Sequence, residues 1–167
     1  LIGACVEEPP PEDPLNPLRG LYAVTANTEA SPCDAAPVDV ADGFTEFKLD
    51  EESIFFTKIL GFFPCNGGLE TCDESALLNL SAFGDDNEVS IATSSGDETS
   101  CFVNATLGNW EAIDGGVRLE TTSRGGTLEN VEVCDPDVAL AQFDALECQG
   151  VDVLEGELIE ELPDPED

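Results

Sequence analysis

The sequence predicts a mainly β fold, an antiparallel barrel or sandwich of eight to nine short strands with one short helix before the last strand, braced by disulfides. Three observations predict it. Apolar residues recur at period two along most of the chain, Gly- and Asp-rich turns separate the runs, and Pro136 to Leu146 alone repeats at the helical period. Short strands at such spacing either close into a barrel or pack as a sandwich. The 167 residues suffice for one domain with a real core.

Each element follows in chain order. Tyr22, Val24 and Ala26 alternate after Gly20, and Thr45, Phe47 and Leu49 alternate with Phe44, Glu46 and Lys48. Ser53 to Phe63, SIFFTKILGFF, is apolar on both faces and predicts one central or doubly covered strand. Leu78, Leu80 and Ala82 form the next alternating run, then Val89 and Ile91, then Cys101, Val103, Ala105 and Leu107. Asp114-Gly115-Gly116 is a hairpin signal. It leads into Val117, Leu119 and Thr121 on one face, with Arg118 and Glu120 on the other. Arg124-Gly125-Gly126 predicts the next turn, ahead of Leu128 to Val133. In the helical segment Asp135 is the expected N-cap and Pro136 the first residue, with Val138, Leu140, Ala141 and Leu146 as the inner face. Val151 and Val153 open the last strand.

Charge narrows the function classes. There are 37 acidic residues against 5 basic, a net charge of −32, and no histidine. A phosphate backbone is held by Lys and Arg, so no nucleic-acid partner is expected, and an anionic lipid surface is disfavoured for the same reason. Without histidine, the His-dependent serine and cysteine hydrolases are excluded. No cofactor is expected. Carboxylates are the one abundant catalytic group, and a pair about 5–10 Å apart suits glycoside hydrolysis. Glu46, Asp50, Glu111 and Glu120 are candidates. They sit in strands where a solvated outward charge is the ordinary reading, so no catalytic residue is assigned and the hydrolase is kept as an alternative. Asp85-Asp86-Asn87-Glu88 and Asp135-Pro136-Asp137 gather oxygen ligands in turns but do not fit an EF-hand, so no metal site is expected either. Asn79-Leu80-Ser81 and Asn104-Ala105-Thr106 match the glycosylation acceptor and read as strand polar residues.

The chain contains no methionine, which reads as a trimmed N-terminus, and it starts Leu1-Ile2-Gly3-Ala4-Cys5. An aliphatic residue, two small residues and a cysteine, followed at once by a spacer, resemble the end of a bacterial lipoprotein signal peptide. That resemblance implies lipidation of Cys5, export, and a membrane partner reached through the lipid anchor. Val6 is not the aspartate that favours inner-membrane retention in this class, which implies the outer membrane, on its periplasmic or cell-surface face. Several acyl chains together give durable anchoring. Residues 1–5 are then the lipidation segment. Residues 6–17 (VEEPPPEDPLNP) are expected to form an extended Pro/acid-rich tether reaching about 35–40 Å, residues 18–160 the β-domain, and 161–167 an acidic disordered tail.

With Cys5 assigned to the lipid, Cys33, Cys65, Cys72, Cys101, Cys134 and Cys148 remain for three bridges, the habit of an oxidising compartment. Cys65 and Cys72 flank Asn66-Gly67-Gly68 and are expected to pair. Cys134 with Cys148, either side of the helical segment, is the second expectation, leaving Cys33 with Cys101. The alternative, a zinc site, lacks the usual C-x₂-C pairs.

Gly20-Leu21-Tyr22 at the start of the first strand, with a helix before the last, resembles the lipocalin-type barrel, although Tyr22 stands where that family's Gly-x-Trp motif has tryptophan. More broadly, the chain is similar to acidic, disulfide-bonded bacterial lipoproteins. The resemblance implies a monomeric, non-enzymatic binding barrel for a small apolar ligand or another envelope component. Tyr22, Phe47, Phe56, Trp110 and Leu119 are its candidate pocket residues. The alternative of another class is a structural or interaction lipoprotein with a filled core and no pocket.

Overall fold

In a computed structural model, residues 14–41, 43–76, 80–84 and 86–165 are described. Among the described residues nine strands form one sheet: β1 (Gly20–Ala30), β2 (Val38–Asp39), β3 (Glu46–Ile54), β4 (Thr57–Cys65), β5 (Ala82–Phe83), β6 (Glu88–Gly96), β7 (Ser100–Ile113), β8 (Gly116–Glu129) and β9 (Glu147–Glu160). All pairings are antiparallel, in the order β2-β1-β3-β4-β5-β6-β7-β8-β9, and β1 also pairs with β9. The sheet therefore closes on itself, which decides for the barrel over the sandwich. Closure pairs the edges that an open sheet would leave exposed. The short β2 lies outside the ring, alongside Thr28 and Glu29 of β1.

The barrel has two unlike ends. At the near end β1 begins and β9 ends, with Leu21 opposite Glu160. The same end holds the β3–β4 turn at Phe55-Phe56 and the β7–β8 turn at Asp114-Gly115, together with Pro14–Arg19 and the segment after Glu160. The far end is built from three long connections, residues 31–45, 66–76 and 130–146, and from the short turn 97–99. The expected tether is docked where it is described. Asn16 N donates to Glu51 Oε1 and Asn16 Nδ2 to Asn87 Oδ1, while Leu18 is buried in the core beside Tyr22. The chain after β9 returns to the same end, where Arg19 Nη2 donates to the Pro163 carbonyl.

Inside the ring the near half is filled. Tyr22, Phe47, Phe62 and Trp110 pack ring against ring, Tyr22 stacked on Phe47 at a centroid separation of 5.4 Å, and Phe62 and Trp110 tilted against Phe47 at 5.4 Å and 5.5 Å. Leu49, Leu60, Val89, Val117, Leu119 and Leu154 close around them. Gly156 opposite Val24 leaves room for Phe47, since a Cβ there would stand 2.6 Å from its ring. A second cluster lies on the outer face of the wall, where Cys101, Val103 and Ala105 of β7 are covered by Ala139 and Leu146.

The structure corrects four sequence expectations. Ser53 to Phe63 is not one strand but two, folded at Phe55 and Phe56, whose φ values of 47° and 68° make the tight turn. Only Ile59 to Phe63 is buried on both faces. Arg124-Gly125-Gly126 is not a turn: β8 runs through it, paired with β7, and the irregularity falls on β9 as a register shift opposite Ser123/Arg124. The helix α1 spans Pro136–Ala141, capped by the Asp135 side chain accepting from Val138 N, and a 3-10 turn Phe143–Ala145 follows. Its inner residues are Ala139 and Leu146, whereas Leu140 and Ala141 are exposed, because the helix ends before a second apolar turn is built.

The fourth correction concerns the disulfides. Cys65 pairs with Cys72 as expected. Cys134, however, joins Cys101 and Cys148 joins Cys33, not Cys134 with Cys148 and Cys33 with Cys101. The register explains it. The starts of β7 and β9 lie at the far end, where Cys101 meets the chain leaving β8 and Cys148 meets the chain leaving β1. All three bridges therefore staple the far end. Three disulfides fit an oxidising, extracytoplasmic compartment and are consistent with an exported protein. Among the described residues no helix is long and apolar enough to cross a membrane. Cys5, Leu78, Asn79 and Asp85 lie outside the described residues.

Candidate functional site

Alternation along each strand decides what faces the barrel interior. Register places Trp110 with Leu119 and Leu154, then Gly108 with Thr121 and Asp152, one step toward the far end. On β1 a register shift between Val24 and Ala26 changes the inward set, so that Asn27 pairs with Leu154 and Glu29 with Asp152. The interior thus passes from aromatic at the near end to polar at the far end. In the polar half Thr106 Oγ1 and Ser123 Oγ share a hydrogen bond of 2.8 Å.

A recess of about 240 Å³ occupies that half. Phe44, Leu80, Leu119 and Leu154 supply apolar wall, while Asn27, Glu29, Thr121 and Asp152 supply polar groups. Partial burial, and secondarily the charge of Glu29, push the Asp152 carboxyl above its ordinary range. An apolar wall with an acidic rim accepts a small uncharged or cationic group and repels an anion.

Of the five expected pocket residues, Tyr22, Phe47 and Trp110 are buried as mutual core contacts, not as lining around empty space. Their polar atoms are also spent: Tyr22 Oη donates to the Leu18 carbonyl and Trp110 Nε1 to the Leu80 carbonyl. Burial pushes the Tyr22 phenol up to about 12. Leu119 alone of the five borders the recess. Phe56 is outside the barrel altogether, fully exposed at the tip of the β3–β4 turn. Sequence reasoning missed Asn27, Glu29 and Asp152. Strict alternation put Ala26 inward, and the bulge that overrides it has no signature in the residues around Thr25.

The candidate carboxylates are engaged in surface structure. Glu46 Oε2 accepts from Gly68 N, and Asp50 Oδ1 accepts from Arg19 Nε at 2.8 Å. Glu111 and Glu120 flank Arg118, which also meets Glu155 at 2.7 Å. The hydrogen bond to Glu120, with its neighbour Glu155, raises the Arg118 guanidinium pKa still further. The other cations are likewise engaged: Lys48 with Glu74 and the Phe63 ring, Arg124 with the Leu146 carbonyl and the Phe143 ring, and Lys58 with a partner of its own. The surface thus offers an anionic ligand little positive charge. Asp135 caps α1 and Asn87 holds Asn16, and no cluster of three or more metal-ligating side chains occurs among the described residues. Asn104 faces inward at the far end, where a Cβ on Gly125 would meet its Oδ1.

No family model, no curated protein and no solved structure matches the chain.

Proposed function

We propose that the chain is an exported, lipid-anchored envelope lipoprotein, non-enzymatic, that recognises another envelope component through the far end of its barrel. The observation that carries this reading is the division of labour between the ends. The long connections and all three disulfides lie at one end, and the chain enters and leaves at the other. Binding surfaces are commonly loops held by a rigid scaffold, and disulfides hold these loops where the core is thin. Val38, Phe102 and Val133 give that end exposed apolar surface, each more than half exposed. The acidity around it suits a basic partner surface, through charge complementarity. The resemblance at Ile2-Gly3-Ala4-Cys5 supports lipid anchoring in the outer membrane.

The filled aromatic half favours an interaction protein over a deep carrier. The recess at the far end supports a second reading, a small ligand with an apolar body seated against Phe44 and Leu119. Titration with a hydrophobic fluorescent probe separates the two. Weak, non-saturable binding is expected for the interaction protein. Saturable binding lost in Leu119→Asp would establish the recess as a ligand seat. Photo-crosslinkers at Val38 and Val133 are expected to capture an envelope component in intact cells, and one at Ile113 of the near end is not. Equal capture from both ends would refute recognition by the far end.

A further inference from the structure

The β3–β4 turn is unlike an ordinary hairpin tip. Two-residue turns with positive φ at both central positions select Asn and Gly, because a side chain there crowds the backbone. This turn holds Phe55 and Phe56 at φ 47° and 68°. Neither ring is used inside the molecule, their exposures being 93% and 106%. Two adjacent large rings in a strained turn, both facing solvent, bring the fold no packing.

Their position gives them an occupant. The turn projects from the near end, the end at which Pro14–Arg19 enters the barrel. Ile113, Leu158 and Ile159 at this end are also exposed. From Pro14 back to Cys5 there are nine peptide steps, which span about 28 Å in a polyproline-type chain and at most about 32 Å fully extended. A lipid on Cys5 therefore keeps this end within tether reach of a bilayer, while the far end lies a barrel length further off. We propose that Phe55 and Phe56 form a membrane foot that seats in a zwitterionic bilayer surface and sets the barrel upright, with its far-end loops away from the lipid. The inference rests on the anchoring reading above. The zwitterionic character follows from charge, because Glu52, Asp86, Glu88, Glu157 and Glu160 surround the same end and repel anionic headgroups. Phenylalanine needs no hydrogen-bond partner when it enters the interface, so the two side chains desolvate nothing polar on insertion.

In a chain produced without lipidation, Cys5 is the one cysteine outside the three bridges, and its thiol is the coupling point. The full chain is coupled through Cys5 to a maleimide phospholipid in phosphatidylcholine vesicles, with Phe55→Trp as reporter. Trp emission is expected to shift to the blue and to be quenched by brominated phosphatidylcholine. Val133→Trp at the far end is expected to show neither effect. Adding Phe56→Ser to the reporter is expected to lower the ratio of inserted to free tip about tenfold. An unquenched Phe55→Trp, or quenching equal at both ends, overturns the proposal, and so does a tip shielded only by added protein. Coupling makes the test independent of native lipidation. A bare Cys5 in protein from its own membrane removes the anchoring reading and leaves tip insertion measured. An acylated Cys5 with an unquenched tip removes this inference alone.

Discussion

Replacing Phe55-Phe56 by Asn-Gly should stabilise the isolated protein while removing its foot. A non-glycine residue in the left-handed region costs about 1–2 kcal/mol, and two such residues make this turn. Asparagine tolerates the conformation better, and glycine carries no Cβ penalty. Glycine in turn loses about 0.5–1 kcal/mol through the greater freedom of the unfolded chain. No burial is lost, because both rings are exposed. The net gain is about 1 kcal/mol, which raises Tm by about 2–4 °C for a chain of this size. Equilibrium unfolding in urea, with two-state fits at fixed salt, reads the change. A variant as stable as the parent, or less stable, would mean that the rings support the fold in a way their exposure denies.

Three further outcomes follow from charge and cross-linking. Cys33–Cys148 closes 115 residues between the two strands that seal the ring. Chain entropy puts its worth near 5 kcal/mol, so a loss below about 1 kcal/mol in Cys33→Ala/Cys148→Ala would show that closure does not depend on it. Asp152 has its folded-state pKa raised by burial and by Glu29, so the native state binds more protons there than the unfolded chain. Stability from this group therefore rises as pH falls through its folded pKa. Asp152→Asn should stabilise at neutral pH and lose that advantage in acid, and an advantage independent of pH would contradict the cause. With a net charge of −32, self-repulsion weakens as the Debye length shrinks from about 30 Å at 0.01 M salt to about 8 Å at 0.15 M. Tm is expected to rise over that range, and a flat profile would remove charge from the account.

Period-two alternation made the β class readable because burial on one face of a strand leaves a direct imprint. The hairpin at Asp114-Gly115-Gly116 and the cap at Asp135 were legible for equally local reasons, a positive φ at Gly115 and a side chain accepting from Val138 N. What misled was non-local or atypical. Phe55-Phe56 hid a turn because its residues are those of a strand, and Gly125-Gly126 suggested a turn because pairing of β8 on both sides is invisible along the chain. Cys65–Cys72 could be read from seven residues of separation. The other two bridges depend on which strand ends meet at the far end. The acidic rim of Glu29 and Asp152 needed both the bulge in β1 and the closure of β1 on β9.

The account turns on a domain held by lipid at one end and by sulfur at the other. Peptide mapping by mass spectrometry, without reduction, of the chain recovered from its own membrane tests both at once. The prediction is Cys33 linked to Cys148, Cys65 to Cys72 and Cys101 to Cys134, with Cys5 carrying acyl mass. Cys5 unmodified or found in a bridge, or free thiols among the other six, would contradict it.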